Sequence, residues 1–260
     1  MSRIFLRLQK DSLLSESPEA TRQAGMTDNI GTEFAMNNLI FPEIFDSPVT
    51  AFFTRKPLGV NVEEICQFFS FEKDNVYLPI QKHTDNVQVV SSDLNTKIAD
   101  SVLTERKGIL IGVQVADCVP ILFYDAKRLL VGAVHAGWRG TASQIIKKTI
   151  ACMIQEFGSS PTDIKMAIGP SIKWRCYQVG VEVKEAVCEA TGEGDYYFKQ
   201  DGQWYIDLAS ANHCQAISMG LPEENTWISP ECTYCNPKDY HSYRYEKTYN
   251  GAQGGFIGIF

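Results

Sequence analysis

Two histidines and one cysteine of this 260-residue chain stand at or near the ends of apolar runs. They are His83 at the end of NVYLPIQKH, Cys118 after ILIGVQVAD, and His135 in LLVGAVHA. The ends of adjacent strands converge in space, so these side chains can meet although they are far apart in sequence. Two imidazoles and a thiolate supply three ligands for a catalytic Zn²⁺, which typically keeps a fourth position open. Water in that position loses a proton near neutral pH.

The same residues allow two other interpretations. A cysteine in an apolar strand is most often a small hydrophobic residue, and a histidine at a strand end is often only hydrogen-bonded. Alternatively, Cys118 is a thiolate nucleophile with His135 as its base, in a metal-free hydrolase or deamidase. A third ligand-type residue at a strand end, His83, favours the metal.

Copper is not expected as the physiological metal. A true laccase needs a blue copper site together with a copper cluster, and such centres require many imidazoles. The chain has only four histidines, His83, His135, His213 and His241, which excludes that mechanism.

The elements that must position these residues are a mixture of strands and helices. Apolar runs predict strands over 49–55, 75–83, 109–117, 119–125, 129–136, 163–169, 241–247 and 254–260, and a hairpin over 196–208. Residues at helical spacing predict helices over 141–158, 181–192 and 208–220. Near-continuous apolar strands indicate a sheet covered on both faces. Together they predict one α/β or α+β domain.

Composition restricts the setting and the partners. We expect residues 1–36, which are polar and lack periodicity, to be a poorly ordered extension before a single catalytic domain over 37–260. The net charge of −7 argues against nucleic acid as the partner. No run reaches the roughly 18 apolar residues of a membrane span, and the start lacks the pattern of a signal peptide. The eight cysteines are expected to be reduced thiols in the cytoplasm.

Two long central motifs resemble the laccase-domain, polyphenol-oxidase-like family, whose members are described as zinc-dependent purine nucleoside phosphorylases with adenosine deaminase activity. The resemblance covers about 49–260, through QVADCVPILFYD and VGAVHAGWRGT, and through FFTR, QKHTDNV, AIGPSIKWRCYQVG, IDLASAN and CTYC…HSYR. It implies a duplicated four-layer α-β-β-α sandwich, with zinc held by His83, Cys118 and His135. The implied reactions are phosphorolysis of adenosine, inosine, guanosine or methylthioadenosine, and deamination of adenosine.

Four further residues are candidates for binding phosphate or substrate. Arg55, which we also count among the catalytic candidates, and Arg139 carry guanidinium groups that match an oxyanion. Ser171 and Ile172 follow a predicted strand and offer backbone N–H groups to an anion.

The chain also departs from the family pattern. Tyr245 replaces a second arginine, and Ala252 stands about where a later arginine is usual. These changes concern the phosphate and substrate contacts and leave the metal ligands intact. Cys232-x-x-Cys235 has no second such pair in the chain, so we interpret it as a structural pair of thiols.

Overall fold

The computed structural model describes residues 36–260. Its strands are β1 (Leu39–Ile40), β2 (Val49–Thr54), β3 (Val76–Tyr77), β4 (Val87–Val89), β5 (Ser101–Thr104), β6 (Leu110–Val115), β7 (Val119–Asp125), β8 (Leu130–Ala136), β9 (Ile164–Ile168), β10 (Gln178–Val179), β11 (Tyr197–Gln200), β12 (Gln203–Ile206), β13 (Thr226–Ile228) and β14 (Gln253–Ile259). Its helices are α1 (Val62–Phe69), α2 (Trp138–Ala142), α3 (Ile145–Phe157), α4 (Val181–Thr191), α5 (Leu208–Ser218) and α6 (Tyr243–Glu246). Apart from Met36, the predicted disordered extension lies outside the described residues.

Two large sheets form the centre of the molecule. The first has five strands in the order β1-β2-β14-β6-β3, and the second has six in the order β13-β9-β7-β8-β5-β4. Ile111 and Ile257 of the first sheet share a buried cluster with Leu122 and Ala133 of the second. Successive side chains of a strand point to opposite faces, so the sheets pack face to face through alternate residues.

Helices cover the two outer faces. On the first sheet, Leu110 and Phe256 pack with Ile65 of α1. On the second sheet, α3, α4 and α5 pack over strand residues that include Ile121 and Val134. The order is therefore helix, sheet, sheet, helices, which confirms the predicted four-layer α+β sandwich in one domain.

Three predicted elements are wrong in their type or length. The segment 241–247 is not a strand but contains the short helix α6, because the Ser242 hydroxyl accepts from the Tyr245 N–H at 3.1 Å and caps it. The strand over 75–83 ends at Tyr77. The helix over 141–158 is two helices separated at Gln144, whose φ of 61° is left-handed. Helix α1 and strands β4 and β5 were not predicted.

Candidate metal centre

Strand pairing brings two of the three ligand-type residues together. Strand β7 pairs antiparallel with β8 so that Pro120 stands opposite His135. Cys118 directly precedes β7, so its thiol lies at the same end of the sheet as the imidazole. His135 is buried and Cys118 is half-buried. The alternating apolar residues of the two strands therefore fix this part of the site.

His83 comes to the same place on a loop. Beyond β3, the side chain of Gln81 takes over the pairing with the end of β6: its Nε2 donates to the Gln114 carbonyl and its Oε1 accepts from the Gln114 N–H, each at 2.8 Å. His83 itself has a left-handed φ of 57°, which is uncommon for a residue with a Cβ. The conformation of this turn thus depends on tertiary contacts.

The three ligand atoms converge. The Cys118 Sγ lies 4.0 Å from the His83 Nε2, and the two imidazole ring centroids are 4.8 Å apart. All three ligand atoms lie within 4.8 Å of one another. Bonds of ~2.0 Å to nitrogen and ~2.3 Å to sulfur place such atoms about 3.5 Å apart in a tetrahedral zinc site, and at most about 4.3 Å apart. The observed S···N separation lies in this interval.

Asp100 holds both imidazole-bearing segments. This carboxylate is fully buried. Its Oδ1 lies 2.7 Å from the His135 Nδ1 and accepts from the His83 N–H at 3.1 Å. Its Oδ2 accepts from the Thr84 N–H, the Thr84 hydroxyl and the Lys82 N–H at 2.6, 2.7 and 3.2 Å. A carboxylate that accepts from one ring nitrogen leaves the other free for a metal.

The charges of the cluster are coupled. Burial raises the pKa of the Cys118 thiol, but the neighbouring His135 and His83 outweigh burial and lower that pKa to about 6. Burial lowers the pKa of His135, and Cys118 and Asp100 raise it to about 9. The pKa of Asp100 is lowered to about 2, because hydrogen bonds from His135 and Thr84 outweigh its burial. At neutral pH the metal-free centre therefore holds a thiolate beside an imidazolium.

Gly137 leaves room for the ligands. A Cβ at this position would lie 3.0 Å from the Cys118 Sγ and 3.1 Å from the His83 Cδ2. Such contacts are tighter than those of most Cβ atoms, so a side chain here would force the thiol and the imidazole to shift by a few tenths of an ångström. The donor set and the space kept around it both fit a metal ion.

The cluster opens into a cavity of about 720 Å³. Four aromatic side chains line it together with two arginines, and they are Trp138, Tyr177, Tyr243, Tyr249, Arg139 and Arg244. The Arg139 Cζ lies 4.5 Å from the Trp138 ring centroid, and the Arg244 Cζ lies 5.0 Å from the Tyr177 ring centroid. The cavity thus combines flat apolar faces with positive charge beside the ligand cluster.

Asp117 ties two further segments to this wall. Its Oδ1 accepts from the Thr233 hydroxyl at 2.6 Å, and its Oδ2 accepts from the Arg244 N–H at 2.7 Å. Its own φ is 85°, a strained value for a residue with a Cβ. Asp117 therefore acts as a structural clamp at the position before Cys118.

The structure does not bring every predicted site residue to the cavity. Arg139 lines it, whereas Arg55 does not. The two terminal guanidinium nitrogens of Arg55 donate to Glu231, at 2.9 and 3.0 Å, and its Cζ lies 5.5 Å from the Tyr240 ring centroid. The charge of Arg55 is thus paired with a carboxylate of the protein, and its catalytic role stays a prediction.

Ser171 and Ile172 also lie outside the cavity wall. Both are buried. The Ile172 N–H donates to the Asp117 carbonyl at 3.0 Å, and the Ser171 carbonyl accepts from the Thr233 N–H. The turn thus contacts the loop that carries Cys118, and the Ile172 N–H is already used within the protein, so anion binding by this turn stays a prediction. Of the two departures from the family pattern, Ala252 lines the cavity, whereas Tyr245 packs against Tyr234.

Sequence reasoning missed several residues of this site. They are Asp100, Gln81, Tyr177, Tyr243, Tyr249 and Arg244. The last of these appears in the sequence only as the arginine of the HSYR motif. Asp100 is a single carboxylate before an unpredicted strand, and nothing in its spacing relates it to His135. Gln81 carried a signal, since it stands in the same Gln-x-His segment as His83.

Comparison with known proteins identifies the family. The model of the family described as multi-copper polyphenol oxidoreductase laccase matches residues 55–260. The chain belongs to this laccase family. A relative from Bacillus subtilis, named purine nucleoside phosphorylase YlmD, is 32% identical over 211 residues, which are 76% of each chain. The resemblance inferred from the motifs is therefore confirmed.

Other members of the laccase family bear two kinds of names. A purine nucleoside phosphorylase of Aquifex aeolicus is 37% identical over 68% of this chain and 79% of its own. Adenosine deaminase RL5, from an unidentified prokaryote, is 34% identical over 66% of this chain and 70% of its own. The crystal structure of YlmD from Geobacillus stearothermophilus superimposes with a TM-score of 0.80 at 26% identity, covering 85% of this chain and 96% of its own.

Replacing the buried carboxylate should weaken metal binding. In Asp100→Asn the amide cannot hold the imidazole of His135 and the 82–84 turn by charge, so we expect the Kd for Zn²⁺ to rise about 10- to 100-fold. Asp125→Asn is the matched control, because Asp125 is equally buried but lies at the opposite end of β7. Competition with a chromogenic chelator measures both Kd values. Equal affinity in the wild type and Asp100→Asn would contradict this role.

Adding a methyl group at Gly137 should also weaken metal binding, because the group crowds the side chains of Cys118 and His83. In Gly137→Ala the new Cβ forces Cys118 and His83 to shift by a few tenths of an ångström, so we expect the Zn²⁺ at this centre to be bound more weakly and the metal content after dialysis to fall. Gly140→Ala serves as the control, since its Cβ would meet only ordinary contacts, the nearest at 3.4 Å. Metal content by elemental analysis and folding by circular dichroism are the measurements. A Gly137→Ala protein with the same metal content as the wild type would show that the space is unimportant.

Cys118 should remain a thiolate at pH values well below the ordinary pKa of a cysteine thiol. In the metal-free protein we expect alkylation of Cys118 by iodoacetamide to rise with pH to a midpoint near 6, because the lowered pKa keeps the thiolate above that pH. In His135→Asn the positive charge is gone, and the midpoint should move towards the ordinary thiol value. Peptide mass mapping follows Cys118 itself, with Cys152 as the internal reference. A midpoint that His135→Asn leaves unchanged would refute the coupling.

Proposed function

We propose that this protein is a zinc-dependent purine nucleoside enzyme. Its proposed reactions are phosphorolysis of adenosine, inosine, guanosine or methylthioadenosine, and deamination of adenosine. The observation that carries the proposal is the convergence of His83, Cys118 and His135 at a cavity that also has aromatic faces and two guanidinium groups. The names of relatives at 32–37% identity support it.

The proposed metal is one zinc ion held by His83, Cys118 and His135. Two imidazoles and one thiolate are ligands that Zn²⁺ prefers, and His83 is exposed, so a fourth position can face the cavity. When bound, zinc at such a site supplies a Lewis acid and lowers the pKa of a water molecule. The protein's own part is to orient the ligands, through Asp100 and Gln81, and to keep space at Gly137.

The family description names several copper ions, and the same donors also bind copper. Among residues 36–260, the other two histidines join no converging group of ligand-type side chains. The His213 Nε2 lies 3.1 Å from the Thr226 hydroxyl, and the His241 ring abuts Gly251. With four histidines in the whole chain, the proposal therefore retains zinc and a single catalytic ion.

The cavity wall supplies groups for both parts of the proposed substrates. Trp138, Tyr243 and Tyr249 offer faces on which a purine can stack. Arg139 and Arg244 offer positive charge for phosphate. Burial and Cys118 raise the pKa of Tyr177 to about 12, and the charges of Arg244 and Arg139 partly oppose this rise. In phosphorolysis a phosphate oxygen bonds to C1′ of the ribose while the bond to the base breaks and the base takes up a proton.

The metal-free alternative also has an observation in its favour. The thiolate of Cys118 beside the imidazolium of His135 is the pair that cysteine hydrolases use. A third ligand at His83 is not needed for that chemistry. Metal analysis separates the two functions, because a metal-free protein that hydrolyses substrate and is inactivated by alkylation of Cys118 would favour the hydrolase.

A nucleoside panel tests the proposed function. We expect the zinc-loaded protein to release free base from adenosine or inosine only when phosphate is present, and to convert adenosine to inosine. His83→Ala should lower kcat/KM at least about 100-fold, since it removes one ligand, whereas His213→Ala should retain it. Chromatography of bases and nucleosides measures both activities. Neither free base nor inosine as product would refute the proposal.

A further inference from the structure

Three thiols outside the catalytic centre converge from two separate loops. Cys176 lies before β10, and Cys232 and Cys235 lie in the loop between β13 and α6. The Sγ atoms of Cys176 and Cys235 are 3.2 Å apart, and all three sulfurs lie within 4.8 Å of one another. The pair Cys232-x-x-Cys235 that looked isolated in the sequence thus gains a third member.

The separations fit shared coordination better than a disulfide. A disulfide joins two sulfurs at ~2.05 Å and would leave the third unused. Bonds of ~2.3 Å from zinc to sulfur place two thiolates about 3.8 Å apart at the tetrahedral angle. The Cys176–Cys235 separation of 3.2 Å is shorter than this but well above a disulfide bond, and the third sulfur lies within 4.8 Å of both. Cys232 is buried, Cys176 is half-buried and Cys235 is exposed. A water molecule from the solvent side can therefore supply a fourth ligand.

Hydrogen bonds to the backbone hold the Cys232-x-x-Cys235 turn in place. The Lys173 N–H donates to the Cys232 Sγ at 3.4 Å. The Asn236 N–H and side-chain amide both donate to the Cys232 carbonyl, at 3.2 and 2.9 Å, and hold the Cys-x-x-Cys turn. Burial and the hydrogen bond with Cys235 raise the pKa of the Cys176 thiol to about 12, so a bound cation is what would make it a thiolate at neutral pH.

The three thiols lie next to residues that form or hold the wall of the cavity. Cys176 directly precedes Tyr177, which lines that cavity. Cys232 directly precedes Thr233, whose hydroxyl donates to Asp117 at 2.6 Å. An ion shared by the three sulfurs would therefore cross-link the loop that carries Tyr177 to the loop that holds Asp117.

We infer that Cys176, Cys232 and Cys235 form a second, structural site for a thiophilic divalent cation of the Zn²⁺ type. It fixes two loops of the cavity wall and takes no part in the reaction. The three thiols lose their protons when the ion binds, and no oxidant or reductant is involved. The inference does not depend on the proposed function, because it concerns other side chains.

Metal stoichiometry tests the second site. We expect the full-length protein, loaded with Zn²⁺ and freed of excess metal, to retain about two ions per chain. Cys176→Ser and Cys235→Ser should each retain about one, and so should His83→Ala, which loses the other ion. Cys152→Ser, a half-buried cysteine of α3, is the control and should retain both. A wild type with one ion that Cys176→Ser and Cys235→Ser both keep would overturn the site.

Differential alkylation separates a metal from a disulfide without any substitution. We expect Cys176 and Cys235 of the zinc-loaded native protein to resist iodoacetamide and to react once a chelator removes the metal. Protection that only a reductant abolishes would mean a disulfide and overturn the inference. Reaction without either treatment would mean free thiols and overturn it equally. Thermal unfolding adds a third measurement. Zn²⁺ should raise the Tm of the His83→Ala protein, and adding Cys176→Ser to that protein should abolish the rise.

Discussion

The site depends on the hydrogen bonds of one buried carboxylate, that of Asp100. It accepts from the turn that carries His83 and lies against the ring of His135, so one charged group fixes two ligand-type side chains that arrive from different parts of the chain. An unpaired carboxylate at full burial would be very costly. Its hydrogen bonds to the His135 ring and to the 82–84 turn offset that cost, and they make the geometry of the centre part of the stability of the fold.

Around that carboxylate, the backbone departs from its usual conformations. His83 and Asp117 both have left-handed φ values, which cost free energy and persist only where tertiary contacts over-determine them. Asp100 stabilises the first turn, and the contacts of Asp117 with Thr233 and Arg244 stabilise the second. The result is a rigid set of donors at the end of two paired strands, with Gly137 keeping the intervening space open.

The cavity wall has a different origin from the cluster itself. The ligand-type residues stand on or beside the central sheets, whereas Tyr177, Tyr243, Arg244 and Tyr249 come from the loops and the short helix α6 on one side. Such segments gain little from a core of their own, so they need cross-links to the body of the protein. Asp117 supplies two of these links, and the proposed thiolate site beside Tyr177 would supply another.

Within residues 36–260, no helix has the length and apolar character needed to cross a membrane.

The sequence by itself determined the fold class and the ligand-type residues, and its family resemblance implied the four layers. Continuous apolar strands and helical spacing report burial directly, and the pairing of β7 with β8 brings Cys118 and His135 together at one end of the sheet. His83 reaches them on a loop that the sequence predicted to be a strand. Only the tertiary structure decided the rest. Arg55 is neutralised by Glu231, the N–H of Ile172 is used by Asp117, and Cys176 meets Cys235. Each of these is a contact between distant segments, and a local pattern cannot report which partner a charge, an N–H or a thiol will find across the fold.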